Sequence, residues 1–233
     1  MTRQVKSKQR VAEHGEVFTS EREVNAMLDL VKQETERIDS RFLEPACGDG
    51  NFLVEILRRK LAVVKANYKK SPADYEKYSV IAITSIYGVD IMQDNVLDCR
   101  ERLFEIWNKE YTANCKKEAT DECRDSVKYI LERNILCGNA LSLMQVDENG
   151  NDTDKPIIFS EWSLVMGSSI KRRDFRLDVL LREHEETSLQ FSLFGDDATN
   201  PEYWETDPVT KETIPAPTKE YPLTDYRRLR QNG

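Results

Sequence analysis

Phe42-Leu43-Glu44-Pro45-Ala46-Cys47-Gly48-Asp49-Gly50-Asn51-Phe52-Leu53 is the stretch on which the reading of this chain turns. A short apolar run stops at an acid and a proline. Two glycines follow, one residue apart, and Phe52, Leu53, Ile56 and Leu57 then repeat at helical spacing. The pattern predicts a strand, a tight glycine turn and a helix. Glycine in such a turn lets backbone N–H groups approach a ligand, because no Cβ holds the ligand away. Alone, a Gly-x-Gly turn fits an ordinary strand–helix junction as well as a nucleotide site.

Val24, Met27, Leu28, Leu30 and Val31 mark an amphipathic helix before this stretch, with Ser20 or Thr19 as its cap and Glu23 placed to complete a capping box with Ser20. After the glycine turn the helix is expected to run from Asn51 to about Asn67. A second helix is expected over Ala73–Thr84, and then a strand, Ser85–Asp90, ending in an acid. An acid closing the second strand of a Rossmann-like fold accepts hydrogen bonds from ribose hydroxyls. Asp90 lies 40 residues after Gly50, about twenty more than the usual spacing, and the helix at Ala73–Thr84 accounts for the excess. Capping of the next helix is the alternative role for Asp90. Two further helices follow, Asn95–Lys117 and Ala119–Arg133, with Asn134 as a stop. Ile135–Leu141 reads as a third strand and its exit turn, and Ile157–Gly167 as a fourth. A last helix is expected over Asp174–Glu186.

The string Phe-Leu-Glu-Pro-Ala-Cys-Gly-Asp-Gly-Asn-Phe resembles the S-adenosylmethionine (SAM) loop of DNA adenine-N6 methyltransferases of restriction–modification systems. Val17-Phe18-Thr19 resembles that family's N-terminal cofactor-contacting segment, although Ser20 stands where many relatives carry proline. Tyr87-Gly88-Val89-Asp90-Ile91 resembles its second motif. Gly138-Asn139-Ala140-Leu141 resembles its Gly-Asp-Ala-Leu motif, with Asn139 in place of the acid; an amide oxygen can still accept a hydrogen bond from the adenine amino group. The resemblance covers roughly residues 11–167. It implies a Rossmann-like α/β methyltransferase fold with helices on both faces of the sheet and SAM as cofactor. The implied cofactor site comprises Phe18, Thr19, Glu44, Pro45, Ala46, Cys47, Gly48, Gly50, Phe52, Asp90, Ile91, Asn139 and Ala140.

One family signature is missing. The fourth strand of the family runs into Asn-Pro-Pro-Tyr or a close variant, whose first residue and first proline carbonyl accept the protons of the target amino group while the aromatic ring stacks on the flipped base. Here the aligned residues are Ser168-Ser169-Ile170-Lys171. Serine offers one hydroxyl and lysine can neither accept nor stack, so little or no adenine methylation is expected from this segment. Asn200-Pro201-Glu202-Tyr203 resembles the tetrapeptide, but it follows no strand and has Glu202 for the second proline. The alternative function is a non-catalytic SAM-binding or degenerate module that docks on DNA-processing partners.

The remaining sequence bounds these readings. Net charge is −8, so a DNA-facing surface has to be a local patch on an acidic body. Lys171, Arg172 and Arg173 form the densest basic cluster after the N-terminus and are candidates for phosphate contact. The five cysteines are scattered without a Cys-x-x-Cys pair, so no metal site is expected and reduced cytoplasmic thiols are. Residues 1–15 read as a polar arm, 16–186 as the methyltransferase-like domain, and 187–233 as an acidic, Pro-containing tail. The four strands counted are fewer than such a fold carries. A second methyltransferase or specificity chain is therefore a candidate partner alongside DNA. Gln190-Phe191-Ser192-Leu193-Phe194 resembles the peptide that docks bacterial proteins on the β sliding clamp, with Gln190, Leu193 and Phe194 as its contacts.

Overall fold

The computed structural model describes residues 10, 18–185 and 203–231, excepting the side chains of 182–185. The clamp-like peptide at Gln190–Phe194 lies outside the described residues, as do Asn200, Pro201 and Glu202. The fold is mixed α/β.

Helix α1 (Glu21–Asp29) starts with the capping box the sequence predicts, Ser20 and Glu23 each accepting from the other's backbone N–H. A short α2 (Lys32–Thr35) leads to strand β1 (Phe42–Glu44). Helices α3 (Asn51–Tyr68) and α4 (Pro72–Thr84) connect it to β2 (Ile86–Asp90). Ser71 caps α4 by accepting from Asp74 N–H, with Pro72 at the first helical position, where its missing N–H costs nothing. Helices α5 (Gln93–Cys115) and α6 (Asp121–Asn134) then lead to β3 (Ile135–Cys137). The three strands form a parallel sheet in the order β1-β2-β3, with Glu44 opposite Gly88 and Asp90 opposite Cys137.

The helices divide unequally between the two faces of this sheet. Strand alternation sends Phe42 and Ile86 to one face, where they pack with Leu53, Leu57, Val80, Leu103, Trp107 and Ile130 of the four connecting helices. Tyr87 and Val89 point to the other face, which is covered by Ile157, Phe159 and Leu177. These belong to a later unit: strands β6 (Ile158–Met166) and β7 (Ser169–Arg176) and helix α7 (Leu177–Glu185). Between β3 and β6 lies a small hairpin, β4 (Met144–Val146) with β5 (Asp152–Pro156).

Strand β6 pairs with β7 and lies outside the parallel sheet. Its direction follows from its contacts. Ile157 N–H donates to Leu143 C=O at 2.9 Å, and the Ile157 side chain lies against Gly138, beyond the carboxyl end of β3. Five residues later, Trp162 Nε1 donates to Asn134 Oδ1 at 2.9 Å, and Asn134 Nδ2 donates to Ile86 C=O at 3.1 Å, at the amino ends of β2 and β3. Thus β6 runs antiparallel to β1–β3, and its closing turn, Gly167-Ser168, lies past the amino edge of the sheet.

The helix expected from Asp174 begins only at Leu177, and residues 169–176 are strand. Ile170, Arg172 and Asp174 alternate inward. Arg172 and Asp174 are buried against each other, with Nη2–Oδ2 at 2.9 Å. Two charges at inward positions hid the period of the strand.

The reading of 187–233 as tail is corrected by residues 203–231. Strands β8 (Trp204–Thr206) and β9 (Thr213–Pro215) form a hairpin, and β10 (Lys219–Glu220) and β11 (Thr224–Asp225) pair along the free side of β7. Tyr226 and Leu229 are buried in the main core. Pro222 interrupts the strand between β10 and β11, in keeping with a residue that cannot donate to a ladder.

Lys60 fastens the amino edge. Its ammonium donates to Ile38 C=O at 3.1 Å, to Ser40 C=O and to Ser85 Oγ at 2.7 Å, joining the approaches to β1 and β2. Burial pulls its pKa down to about 7, against about 10.4 when unfolded. A lowered lysine pKa means that the unfolded chain binds more protons between those values. Stability attributable to Lys60 therefore rises with pH in that window. Relative to Lys60→Met, the wild-type chain is expected to gain about 2 kcal/mol between pH 7 and pH 9 in paired urea melts. A pH-independent difference would contradict this.

Candidate functional site

The carboxyl ends of β1, β2 and β3 lie along one edge, and the glycine turn rises from the first of them. Cys47 N–H donates to Val89 C=O at 2.9 Å, which holds the turn against β2. Gly48 and Gly50 both have positive φ, +52° and +89°, the left-handed region that glycine enters without steric cost. A Cβ on Gly48 would stand 2.9 Å from the Phe18 ring, and one on Gly50 would stand 2.6 Å from Cys99 Sγ. The glycines are thus required both by conformation and by close approach on opposite sides of the loop.

Asp90 braces the loop. Oδ2 accepts from Gly48 N–H at 2.9 Å, and Oδ1 accepts from Met92 N–H at 2.8 Å and Asn95 Nδ2 at 3.2 Å. The two sequence-level roles for Asp90, cap of the next helix and ligand acceptor, share one carboxylate. About four acceptor positions are available on its two oxygens, and these bonds use three.

Between the loop and the Phe18–Thr19 segment is a cleft of about 120 Å³. Of the site residues expected from the sequence, Phe18, Thr19, Glu44, Ala46, Cys47, Gly48, Phe52 and Asp90 line it. Pro45 forms the turn beside it. Gly50 caps α3 and faces Cys99 rather than the cleft. Ile91 follows β2 and offers its carbonyl to Cys137 Sγ. Ala140 packs into the cluster around Tyr87. Asn139 lies just past β3, where its Oδ1 accepts from Leu141 N–H at 3.0 Å and its Nδ2 donates to Asp152 at 3.0 Å. Neither Asn139 nor Ala140 lines the cleft.

Three lining residues had no assigned role in the sequence: Asp49, Asn51 and Asn95. Arg102 of α5 supports Asp49 and Asn51, and Asn95 donates to Asp90. Asn95 and Arg102 are seven residues apart, two helical turns on the same face, and that spacing was the available signal. Glu44, Asp49 and Asp90 border the cleft; Asp49 is paired with Arg102 at 2.8 Å, and Arg10 donates to the lining Asn95 at 3.3 Å. Burial raises the Glu44 carboxyl above the ordinary value. A hydrogen bond with Cys99, then burial, pushes the Cys47 thiol upward, so it stays a neutral packing group rather than a nucleophile.

The basic cluster lies elsewhere and is already engaged. Arg172 is buried, with Nε 2.9 Å from Asp174 Oδ1, Nη1 on Tyr129 Oη, and its guanidinium 3.9 Å from the Tyr221 ring centroid. It is a core residue and not a phosphate contact, because a buried, fully paired guanidinium has no face left for DNA. Arg173 pairs with Glu161 at 2.6 Å and Lys171 with Glu220 at 2.7 Å. The other residues aligned with the catalytic tetrapeptide are also in use. Ser168 Oγ donates to Asp225 Oδ2 at 2.6 Å, and Ile170 is in the core. Among the described residues no group of histidine, cysteine, aspartate and glutamate is arranged to hold a metal ion. No helix among them is long and apolar enough to cross a membrane.

Residues 18–158 match the family model described as MmeI, DNA-methyltransferase domain. No curated protein and no solved structure matches the chain. The match begins at Phe18 in the cleft and ends at Ile158, the first residue of β6.

Proposed function

The chain belongs to the MmeI DNA-methyltransferase family, and on that premise we propose that it is the SAM-binding portion of an adenine-N6 methyltransferase of a restriction–modification system. The observation that carries the proposal is the cleft over the glycine turn, at the carboxyl edge of three parallel strands, where Rossmann-like folds take their ligands. Its lining fits this cofactor by chemistry. A dinucleotide or nucleoside triphosphate brings phosphates, which the carboxylates of Glu44 and Asp90 disfavour. SAM carries an ammonium, a sulfonium and ribose hydroxyls, and supplies an electrophilic methyl group when bound. Glu44 is the acceptor for a cationic group, and the remaining position on Asp90 is the acceptor for a hydroxyl. Gly48 gives backbone access, and Phe18 provides an aromatic face. The present volume admits only part of such a ligand, so Phe18 has to swing off Gly48 for entry.

The second element of the proposal is that this chain does not itself hold the target base. Ser168–Lys171 follows an antiparallel strand and lies past the amino edge, on the opposite side of the sheet from the glycine turn. The protons of an adenine amino group would then be accepted by residues outside this segment, for which a second chain that shares the DNA contact is our candidate.

Calorimetric titration tests the cofactor assignment. SAM is expected to bind with a 1:1 stoichiometry, NAD not to bind, and Asp90→Ala to weaken SAM by at least about tenfold through loss of the Gly48 brace and one acceptor. Binding of NAD in preference to SAM would refute the assignment.

A further inference from the structure

A single guanidinium connects three acceptors around the glycine turn. Arg102 Nη1 donates to Asp49 C=O at 2.6 Å and pairs with Asp49 Oδ1 at 2.8 Å. Its Nη2 donates to Asn51 Oδ1 at 3.0 Å. Arginine can only donate, so it fixes the amide oxygen of Asn51 on its own side and turns the NH₂ group the other way. That NH₂ group donates to Thr19 C=O at 3.0 Å. Thr19 adjoins Phe18, whose ring lies on Gly48 and is buried. The segment is hinged on α1, which is itself fixed to α3 by Arg59, 2.9 Å from Asn25 Oδ1 and 2.8 Å from Asp29 Oδ1.

We propose that Arg102 and Asn51 are positioning residues that latch the Phe18–Thr19 segment over the cleft and so set the rate at which ligand enters and leaves. The proposal rests on the reading of the cleft as a ligand site. The polarity of Asn51 is its working part. With the oxygen held by Arg102, the donor faces Thr19; with an acid at 51, the Arg102 contact survives and the donor is gone. The two functions of the side chain can therefore be separated by one atom.

The test is amide hydrogen exchange on the ligand-free chain, with SAM dissociation measured in parallel by stopped flow. Asn51→Asp is expected to speed exchange across residues 18–24 about fivefold, the equivalent of one hydrogen bond, with exchange in Leu53–Leu61 unchanged. Arg102→Lys keeps a charge for Asp49 but loses the second arm, and it is expected to act in the same direction. SAM dissociation should accelerate by a similar factor in both. Unchanged exchange over 18–24 in both variants would overturn the latch. So would an equal rise throughout α3, since that would make the pair part of the framework. If the wild-type chain binds no SAM yet exchange responds as stated, the cofactor assignment fails and the latch stands.

Discussion

Glu76→Ala is expected to lower the unfolding free energy by about 2–4 kcal/mol and to free the C-terminal segment from the helical layer. Glu76 is buried on α4, and three donors converge on it. Tyr111 Oη of α5 lies 2.5 Å from Oε2, while Tyr226 Oη and Arg227 Nε lie 2.9 and 2.6 Å from Oε1. Tyr111 Oη also accepts from Thr120 N–H at 2.9 Å, carrying the network to the start of α6. Truncation leaves two buried phenols without their acceptor, the expensive outcome, while the Arg227 guanidinium, about one-third exposed, keeps Asp225 at 3.7 Å. An exposed pair at the same end supplies the control. Glu122 and Arg228 are 3.7 Å apart and both largely exposed, so Glu122→Ala should change stability by no more than about 0.5 kcal/mol. Denaturant melts of the two variants check the contrast. Equal midpoints would mean that the C-terminal segment is not integral to the fold.

Gly50→Ala is expected to cost about 2–4 kcal/mol and to weaken SAM binding more than tenfold. Two effects add at this position: the left-handed φ of +89°, and a Cβ 2.6 Å from the sulfur of Cys99. Cys99 is buried and cannot step aside without disturbing the core against which the loop rests. Gly150 isolates the first effect. Its φ is +79° and a Cβ there would meet nothing within 4 Å, so Gly150→Ala should cost only the backbone strain, about 1–2 kcal/mol, and leave the cofactor untouched. Melts and titrations of this pair check both parts. Similar losses of affinity in the two variants would contradict the role given to the glycine turn.

The sequence disclosed the parts of the fold that local chemistry determines. The glycine turn, the capping box at Ser20 and the helical stripes through Leu53–Leu57 and Leu103–Trp107 all stand where periodicity and turn residues put them. Parallel β1–β3 follows from strands alternating with helices. The parts that were missed depend on partners far along the chain. The direction of β6 is set by Trp162 meeting Asn134, and β7 hides its period behind the Arg172–Asp174 pair. The C-terminal segment reads as tail because of its prolines and acids, yet Tyr226 and Leu229 are core residues, held by Glu76 and by Ser126 Oγ. Within the site, Glu44, Gly48 and Asp90 were legible because the strings around them resemble the cofactor motifs of a known family. Asn51 and Arg102 were not, because their roles arise from a helix that passes the loop half a hundred residues later.

The central claim is that the cofactor loop and the segment in the place of the catalytic tetrapeptide lie at opposite edges of the sheet. Incubation of the isolated chain with tritiated SAM and unmethylated duplex DNA tests it most directly, with cofactor binding confirmed in the same sample. The expected result is bound cofactor and no tritium in DNA above the protein-free control. Tritiated N6-methyladenine formed by the isolated chain, and lost in Asp90→Ala, would contradict the account.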